Sequence, residues 1–206
     1  MRVRFCDEFE GGLGWIAGRP AFLERCSHAL LADGRIWLVD PVDGDGVRER
    51  VRALGDPAGV VQTVDRHARD SDALAKSFGV PHYVAPFDGV PGSPFDLVSI
   101  LRLRFWSEIA VWWPERRVLV CGDALGTASY FRAGKERLAV HPLLRLTPPG
   151  ILRSFEPEHV LVGHGEGIHG DGATPALREA LASARRRLPH QLASSVARLA
   201  SRIARR

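Results

Sequence analysis

Three short apolar runs, each handing over to histidine or aspartate, constrain the fold more than any other feature of the chain. The first, residues 60–64, carries Val60, Val61, Thr63 and Val64, a β-branched run that reads as a buried strand. It breaks into a polar cluster of Asp65, Arg66, His67, Arg69 and Asp70. Ser71 can cap a helix over 71–78, Gly79 ends it, and a second strand follows at 82–84. The second run, 118–121, ends in Gly122-Asp123, and the third, 160–162, ends in Gly163-His164-Gly165. Strands alternating with helices predict an α/β chain, and in open α/β sheets sites form at the carboxyl ends of strands.

The rest of the chain fits that frame. An opening edge strand runs through 5–15 with a Gly11-Gly12 turn. Residues 26–31 and 35–39 form a hairpin about Asp33-Gly34, and the second strand ends at Asp40-Pro41. Val47, Val51 and Leu54 share one face of a short helix. Residues 97–103 and 109–113 are strands. Residues 124–149, with Tyr130, Phe131 and His141, have weak periodicity and are read as covering a site. Thr174-Pro175 starts a helix with Leu177, Leu181 and Leu188 on its apolar face. Pro189 breaks it, and Leu192, Val196, Leu199 and Ile203 line a second helix. At 206 residues the expectation is a single domain over 1–206, with 174–206 a basic helical C-terminal extension.

Composition narrows the class. Apolar residues make up 45% and charged residues 25%, ordinary values for a globular chain. No apolar run is long enough to span a bilayer, and the opening residues do not read as a signal peptide. Cys6, Cys26 and Cys121 have no paired spacing and are expected to be reduced packing residues, which favours the cytoplasm. The net charge is +4, and only Lys76 and Lys135 are lysines. Arginines concentrate at 185–187 and at Arg198, Arg202, Arg205 and Arg206. A solvated helix face accounts for them better than a nucleic-acid contact, since no recognition motif accompanies them. Both a monomer and a homo-oligomer stay open.

The chemistry lies in the strand ends. Neutral imidazole and carboxylate suit a divalent ion, and two histidines with one or more carboxylates form a recurring zinc, iron or manganese set. The candidate metal ligands are Asp65, His67, Asp70, Asp123 and His164. Asp40, at the end of an earlier strand, reads as a supporting or turn residue.

The order and context of these pieces resemble the metallo-β-lactamase superfamily over roughly residues 26–187. The matching stretches are SHALLADGRIWLVDP at 27–41, TVDRHARD at 63–70, VWWPERRVLVCGD at 111–123 and EPEHVLVGHGEG ending at Gly167. The resemblance implies a four-layer αββα sandwich, one or two metals, and a metal-activated water that attacks an ester, thioester, amide or phosphodiester bond. The sequence departs from the family in its first ligand loop. Where the family writes His-x-His-x-Asp-His, this chain has Asp65, His67, Arg69 and Asp70. Arg104 falls where a further histidine is expected, with Glu108 close by. Asp123 matches the bridging aspartate and His164 the last histidine.

Two outcomes follow. In the first, these ligands hold one divalent ion, zinc or else iron or manganese. Asp123 then serves the chemistry and Arg69 or Arg104 stabilises an oxyanion or holds a small, anionic substrate. In the second no metal binds, and Arg69 and Arg104 supply positive charge where the cations sat. The chain is then a non-catalytic member binding a small anion or a protein partner. The hydrolase with one metal is the preferred reading.

Overall fold

The computed structural model describes residues 1–18, 23–191 and 193. Its first sheet has six strands in sequence order: β1 (Val3–Phe9), β2 (Gly12–Ala17), β3 (Arg25–Ala32), β4 (Arg35–Val39), β5 (Asp56–Gln62) and β6 (His82–Val84). The β3–β4 hairpin turns at Asp33 and Gly34, both with positive φ, 50° and 74°. That is the pair of left-handed residues a two-residue hairpin loop needs, and Asp-Gly supplies them at little cost. Strands β4, β5 and β6 run parallel. Parallel neighbours need crossovers, and the helices α1 (Val47–Leu54) and α2 (Ser71–Phe78) provide them.

The second sheet orders its strands β13 (Ile168–His169), β12 (His159–Val162), β9 (Val118–Cys121), β8 (Trp106–Trp113) and β7 (Asp96–Leu103). Here β9 and β12 are the parallel pair. Two short strands, β10 (Leu125–Gly126) and β11 (Ala139–Val140), pair within the covering segment. The helix α3 (Ala173–Ser183) follows.

Each sheet has two apolar faces, so the chain buries three layers of side chains. Trp37, Val39 and Val61 of the first sheet meet Ile109, Val111, Val120 and Leu161 of the second. Leu38, Val60 and Trp15 face outward against Val47, Val51 and Ala75 of α1 and α2. Leu119, Val160 and Val162 face outward against Leu177 and Leu181 of α3. Helices outside two stacked sheets make the expected αββα sandwich. Its parallel strands place four carboxyl ends, those of β4, β5, β9 and β12, along one edge.

Several local expectations need correction. The opening is a hairpin of two strands, because Glu10-Gly11 turns the chain and β2 is wholly buried between β1 and β3. Neither expected cap forms. Asp70 takes the N-cap position of α2 while Ser71 lies inside it, and Thr174 lies inside α3, where its hydroxyl donates to Pro157 O at 2.8 Å. Part of the basic tail is used within the fold. Arg185 Nε donates to Leu146 O, and Arg187 pairs with Glu179, both at 2.8 Å. The helix expected through Leu192, Val196, Leu199 and Ile203, with Arg198, Arg202, Arg205 and Arg206, lies outside the described residues. Among the described residues, no helix is long and apolar enough to cross a membrane.

Candidate metal centre

Three of the predicted ligands converge. His67 Nε2 lies 3.0 Å from Asp123 Oδ1, and His164 Nε2 lies 3.1 Å from the same oxygen. All three residues are buried. They are brought together because β5, β9 and β12 end side by side.

Each is aimed by groups beneath it. His67 Nδ1 donates to Asp40 Oδ2 at 3.2 Å, and His164 Nδ1 donates to Leu23 O at 2.9 Å. The other Asp40 oxygen accepts from Thr63 N at 2.7 Å, and the Thr63 hydroxyl donates to Asp40 Oδ2. Asp40 holds this pose with φ at 45°, and Arg69 has φ at 42°. Left-handed backbone is uncommon outside glycine, and such strain concentrates at sites that surrounding contacts fix firmly.

Asp123 is aimed by Glu108. The fully buried Glu108 accepts from Asp123 N at 2.9 Å and Ala124 N at 2.7 Å through Oε1, and from the Trp106 indole at 2.9 Å through Oε2. Burial first, and then the nearby Asp123 charge, push Glu108 up to about 8. The turn needs Gly122, because a Cβ there would sit 2.4 Å from Val64 Cγ2 and 2.5 Å from Thr63 Oγ1.

The electrostatics favour charge at His67. Burial and the Arg69 charge oppose the imidazolium, but hydrogen bonds to Asp123 and Asp40 outweigh them and raise its pKa to about 9. Burial also opposes ionisation of Asp123, yet its bonds to His164 and His67 hold that carboxyl well below the usual carboxylate range. Arg66 closes the far side of Asp123. Its Nε and Nη2 reach Oδ2 at 3.1 and 2.8 Å, and its guanidinium lies 4.1 Å from the Trp106 ring centroid.

The remaining predicted residues sit elsewhere. Asp65 is exposed, because its side chain turns out of the strand end to accept from Ser107 N at 2.9 Å. Asp70 heads α2 and accepts from Asp43 N at 2.9 Å. Neither carboxylate stands where an imidazole was expected. Arg104 is exposed at the tip of the β7–β8 hairpin and does not line the cleft. Arg69 does line it, but its guanidinium donates to main-chain carbonyls rather than to carboxylates. Nη1 reaches Cys26 O at 2.6 Å and Asp40 O at 2.8 Å, and Nη2 reaches Gly163 O at 2.9 Å. The arginine beside the predicted ligands is thus Arg66, which the sequence reading left in a polar cluster without a role.

A cleft of about 390 Å³ opens over these groups, lined in part by Arg25, Arg66, Tyr130, Phe131 and His141. Phe131 stacks on His164 with centroids 5.5 Å apart. Burial, ahead of the opposing pull of Asp123, lowers His141 to about 4, so its ring is neutral near pH 7. Its Nδ1 accepts from Leu143 N at 3.2 Å, which leaves the ring proton on Nε2.

No protein-family model matches the chain, and no curated protein matches it in sequence. Solved structures do match in shape. A metallo-β-lactamase from Erythrobacter litoralis superposes with a TM-score of 0.61 at 14% identity, over 89% of this chain and 92% of that one. The metallo-β-lactamase FIM-1 from Pseudomonas aeruginosa, solved in its mono-zinc form, gives 0.57 at 13% identity over 90% and 97%. A fragment of the putative diflavin flavoprotein A 5 from a Nostoc species gives 0.60 at 11% identity over 94% and 98%. Identities this low speak for architecture alone. With the αββα layers and the converging strand ends, they show that this chain has the metallo-β-lactamase fold.

Proposed function

We propose that the cleft is the centre of a one-metal hydrolase acting on an ester, thioester or phosphodiester bond in a small anionic substrate. One observation carries this reading: two imidazole Nε2 atoms and one carboxylate oxygen meet within 3.0 and 3.1 Å. With both Nδ1 atoms donating, to Asp40 and to Leu23 O, neutral rings would point lone pairs at an oxygen that is itself an acceptor. Three acceptors facing one another need a proton or a cation between them, and two histidines with one carboxylate are an ordinary zinc, iron or manganese set. The ligand atoms of His67, Asp123 and His164 all lie within 4.8 Å of one another. The same fold is seen with one zinc in FIM-1.

A bound ion would supply Lewis acidity and lower the pKa of water. The chain's own groups do the rest. Asp40 and Leu23 O fix the tautomer and direction of the two rings. Arg66, held by Asp123 and Trp106 but with 41% of its side chain exposed, presents guanidinium N–H groups to a carboxylate or phosphate in the cleft. His141, neutral with its proton on Nε2, can donate to an oxygen gaining negative charge. Phe131 and Tyr130 line one wall of the cleft.

The test is metal analysis paired with variants. His164→Ala is expected to hold one ion per chain fewer than the native protein, and Asp40→Asn to bind that ion about 10–100-fold more weakly. Equal metal content in His164→Ala and the native protein would sink the proposal. Arg66→Ala is expected to raise KM for anionic esters more than for neutral ones, read from steady-state kinetics over a matched substrate pair. Equal effects on both would remove Arg66 from substrate binding.

A second reading rests on the Arg66–Asp123 pair and on the raised pKa of His67. Asp40 and Asp123 are then balanced by Arg66, Arg69 and a protonated His67 without any metal, and the cleft is an anion pocket. Under that reading inorganic phosphate binds the metal-free protein, and Arg66→Ala abolishes its binding.

A further inference from the structure

A second group of side chains, on the first sheet beside β12, has the chemistry of a metal site that the mechanism above does not use. Cys6 on β1 and Cys26 on β3 are free and buried, with their sulfurs 3.8 Å apart. Asp7 Oδ2 lies 3.5 Å from Cys6 Sγ and 3.7 Å from Cys26 Sγ. Packing of apolar thiols does not call for a carboxylate between them. The Asp7 side chain is only 2% exposed, and although burial opposes its charge, the hydrogen bond from His169 and that from Gly167 N hold its pKa below the ordinary carboxylate value.

The backbone is arranged to bring Asp7 there. The β1–β2 register slips between Cys6 and Phe9, and Asp7 sits in that bulge with φ at 51°. A bulge lets two successive side chains reach the same side, which regular alternation forbids. Gly14 stands opposite Cys6 on one side and His28 on the other. A Cβ on Gly14 would lie 3.0 Å from both Asp7 Oδ2 and His28 Nδ1. His28 is fully buried, and its Nε2 donates to Val162 O at 3.1 Å. Its Nδ1 therefore carries a lone pair, has no hydrogen-bond partner, and borders the space that Gly14 leaves open.

We propose that Cys6, Asp7 and Cys26, whose ligand atoms all lie within 4.8 Å of one another, form a structural site for a zinc-class divalent ion, with the space bordered by Gly14 and His28 left for a fourth donor such as water. The distances fit that geometry. A tetrahedral ion with Zn–S of about 2.3 Å and Zn–O of about 2.1 Å puts two sulfurs about 3.8 Å apart and sulfur to oxygen about 3.6 Å apart. The observed edges are 3.8, 3.5 and 3.7 Å. A disulfide does not fit. Strand β2 lies between the two cysteines, and two strand spacings of about 4.8 Å put their backbones beyond the limit of about 7 Å between Cα atoms.

The surrounding contacts are those of a supported site. The second Asp7 oxygen accepts from Gly167 N at 2.8 Å and His169 Nε2 at 3.1 Å, leaving Oδ2 for the sulfurs. Burial and the neighbouring Cys6 and Asp7 push the Cys26 thiol well up, against a smaller opposing pull from Arg69, so a cation must displace its proton. On binding, both thiols release their protons to solvent and the ion takes their place. The ion would tie β1 to β3 and to the segment just after His164.

Cobalt titration of the reduced, metal-free full chain tests this. The native protein is expected to develop a thiolate-to-cobalt charge-transfer band in the near ultraviolet, of an amplitude that matches one thiolate-bound ion per chain, and bleached by zinc. Asp123→Asn and Cys121→Ser should keep the band, which separates this site from the His67 centre. Cys6→Ser and Cys26→Ser should lose it. Gly14→Ala changes no ligand but fills the space, and should weaken cobalt binding at least tenfold. Cobalt bound without the band, a band surviving in Cys6→Ser, or no zinc-dependent rise in the native melting temperature would each overturn the proposal.

Discussion

Replacing Arg69 with alanine is expected to destabilise the protein by about 2–6 kcal/mol, from two buried main-chain acceptors left unmet at about 1–3 kcal/mol each. Arg69 Nη1 supplies the donors to Cys26 O and Asp40 O, and both residues are almost wholly buried. The third acceptor, Gly163 O, keeps a bond from Cys26 N at 2.9 Å and is not orphaned. The loss falls on the backbone at the ends of β3 and β4, so the Asp40 carboxylate should also lose its aim at His67. Arg69→Lys is expected to restore only part of the stability, because an ammonium cannot reproduce a planar fork that reaches three carbonyls at once. Urea unfolding of the metal-free protein reads the effect. A midpoint within error of the native one would mean that solvent or a shifted neighbour satisfies those carbonyls.

Arg69 points elsewhere than its place in the sequence suggests. From the string alone, an arginine between Asp65 and Asp70 reads as a partner for carboxylates. In the fold Asp65 turns outward to Ser107 N, and Asp70 serves the loop before α1. Local proximity along a turn says little about direction once the backbone takes a left-handed step, as it does at Arg69. The layers and strand ends were legible because they rest on periodicity: α1 and α2 fall on the residues expected, and β9 does too. Three strand ends carrying His67, Asp123 and His164 were legible because apolar runs closed by glycine or a polar cluster leave few other ways to turn. Arg66 was not legible, since its role depends on Trp106 and Asp123, which lie 40 and 57 residues away along the chain. Glu108 precedes the apolar run 109–113, and the sequence gives it no role beyond lying near the expected histidine position. Only the tertiary fold shows it buried beneath Asp123. The pair of Cys6 and Cys26 was read as packing because neither spacing nor pattern reveals the bulge at Asp7 that puts a carboxylate between them.

Glu136→Ala is expected to cost about 3–5 kcal/mol, the usual consequence of stranding one member of a buried ion pair. Arg145 is wholly buried, and its Nη1 and Nη2 meet the two Glu136 oxygens at 3.1 and 2.7 Å. Without that carboxylate, the guanidinium keeps one bond, from Nη2 to Phe131 O at 2.8 Å, and its Nε is already without a partner. Ala133 N, which donates to Glu136 Oε2 at 2.6 Å, is stranded as well. Arg187, 3.7 Å from Glu136, loses a partner but is nearer the surface. The effect should reach the cleft. This pair holds the segment carrying Phe131, whose ring stacks on His164 and meets His141 edge-on at 5.4 Å. Hydrogen exchange in 124–149 should therefore accelerate in Glu136→Ala more than exchange in the two sheets. The double variant Glu136→Leu with Arg145→Met separates charge from packing. Replacing both partners by apolar groups of similar volume removes the stranded charge, and should recover most of the lost stability, read from the same unfolding curves. If the double variant is as unstable as Glu136→Ala, then the bonds to Phe131 O and Ala133 N, rather than the charge, are what secure this wall of the cleft.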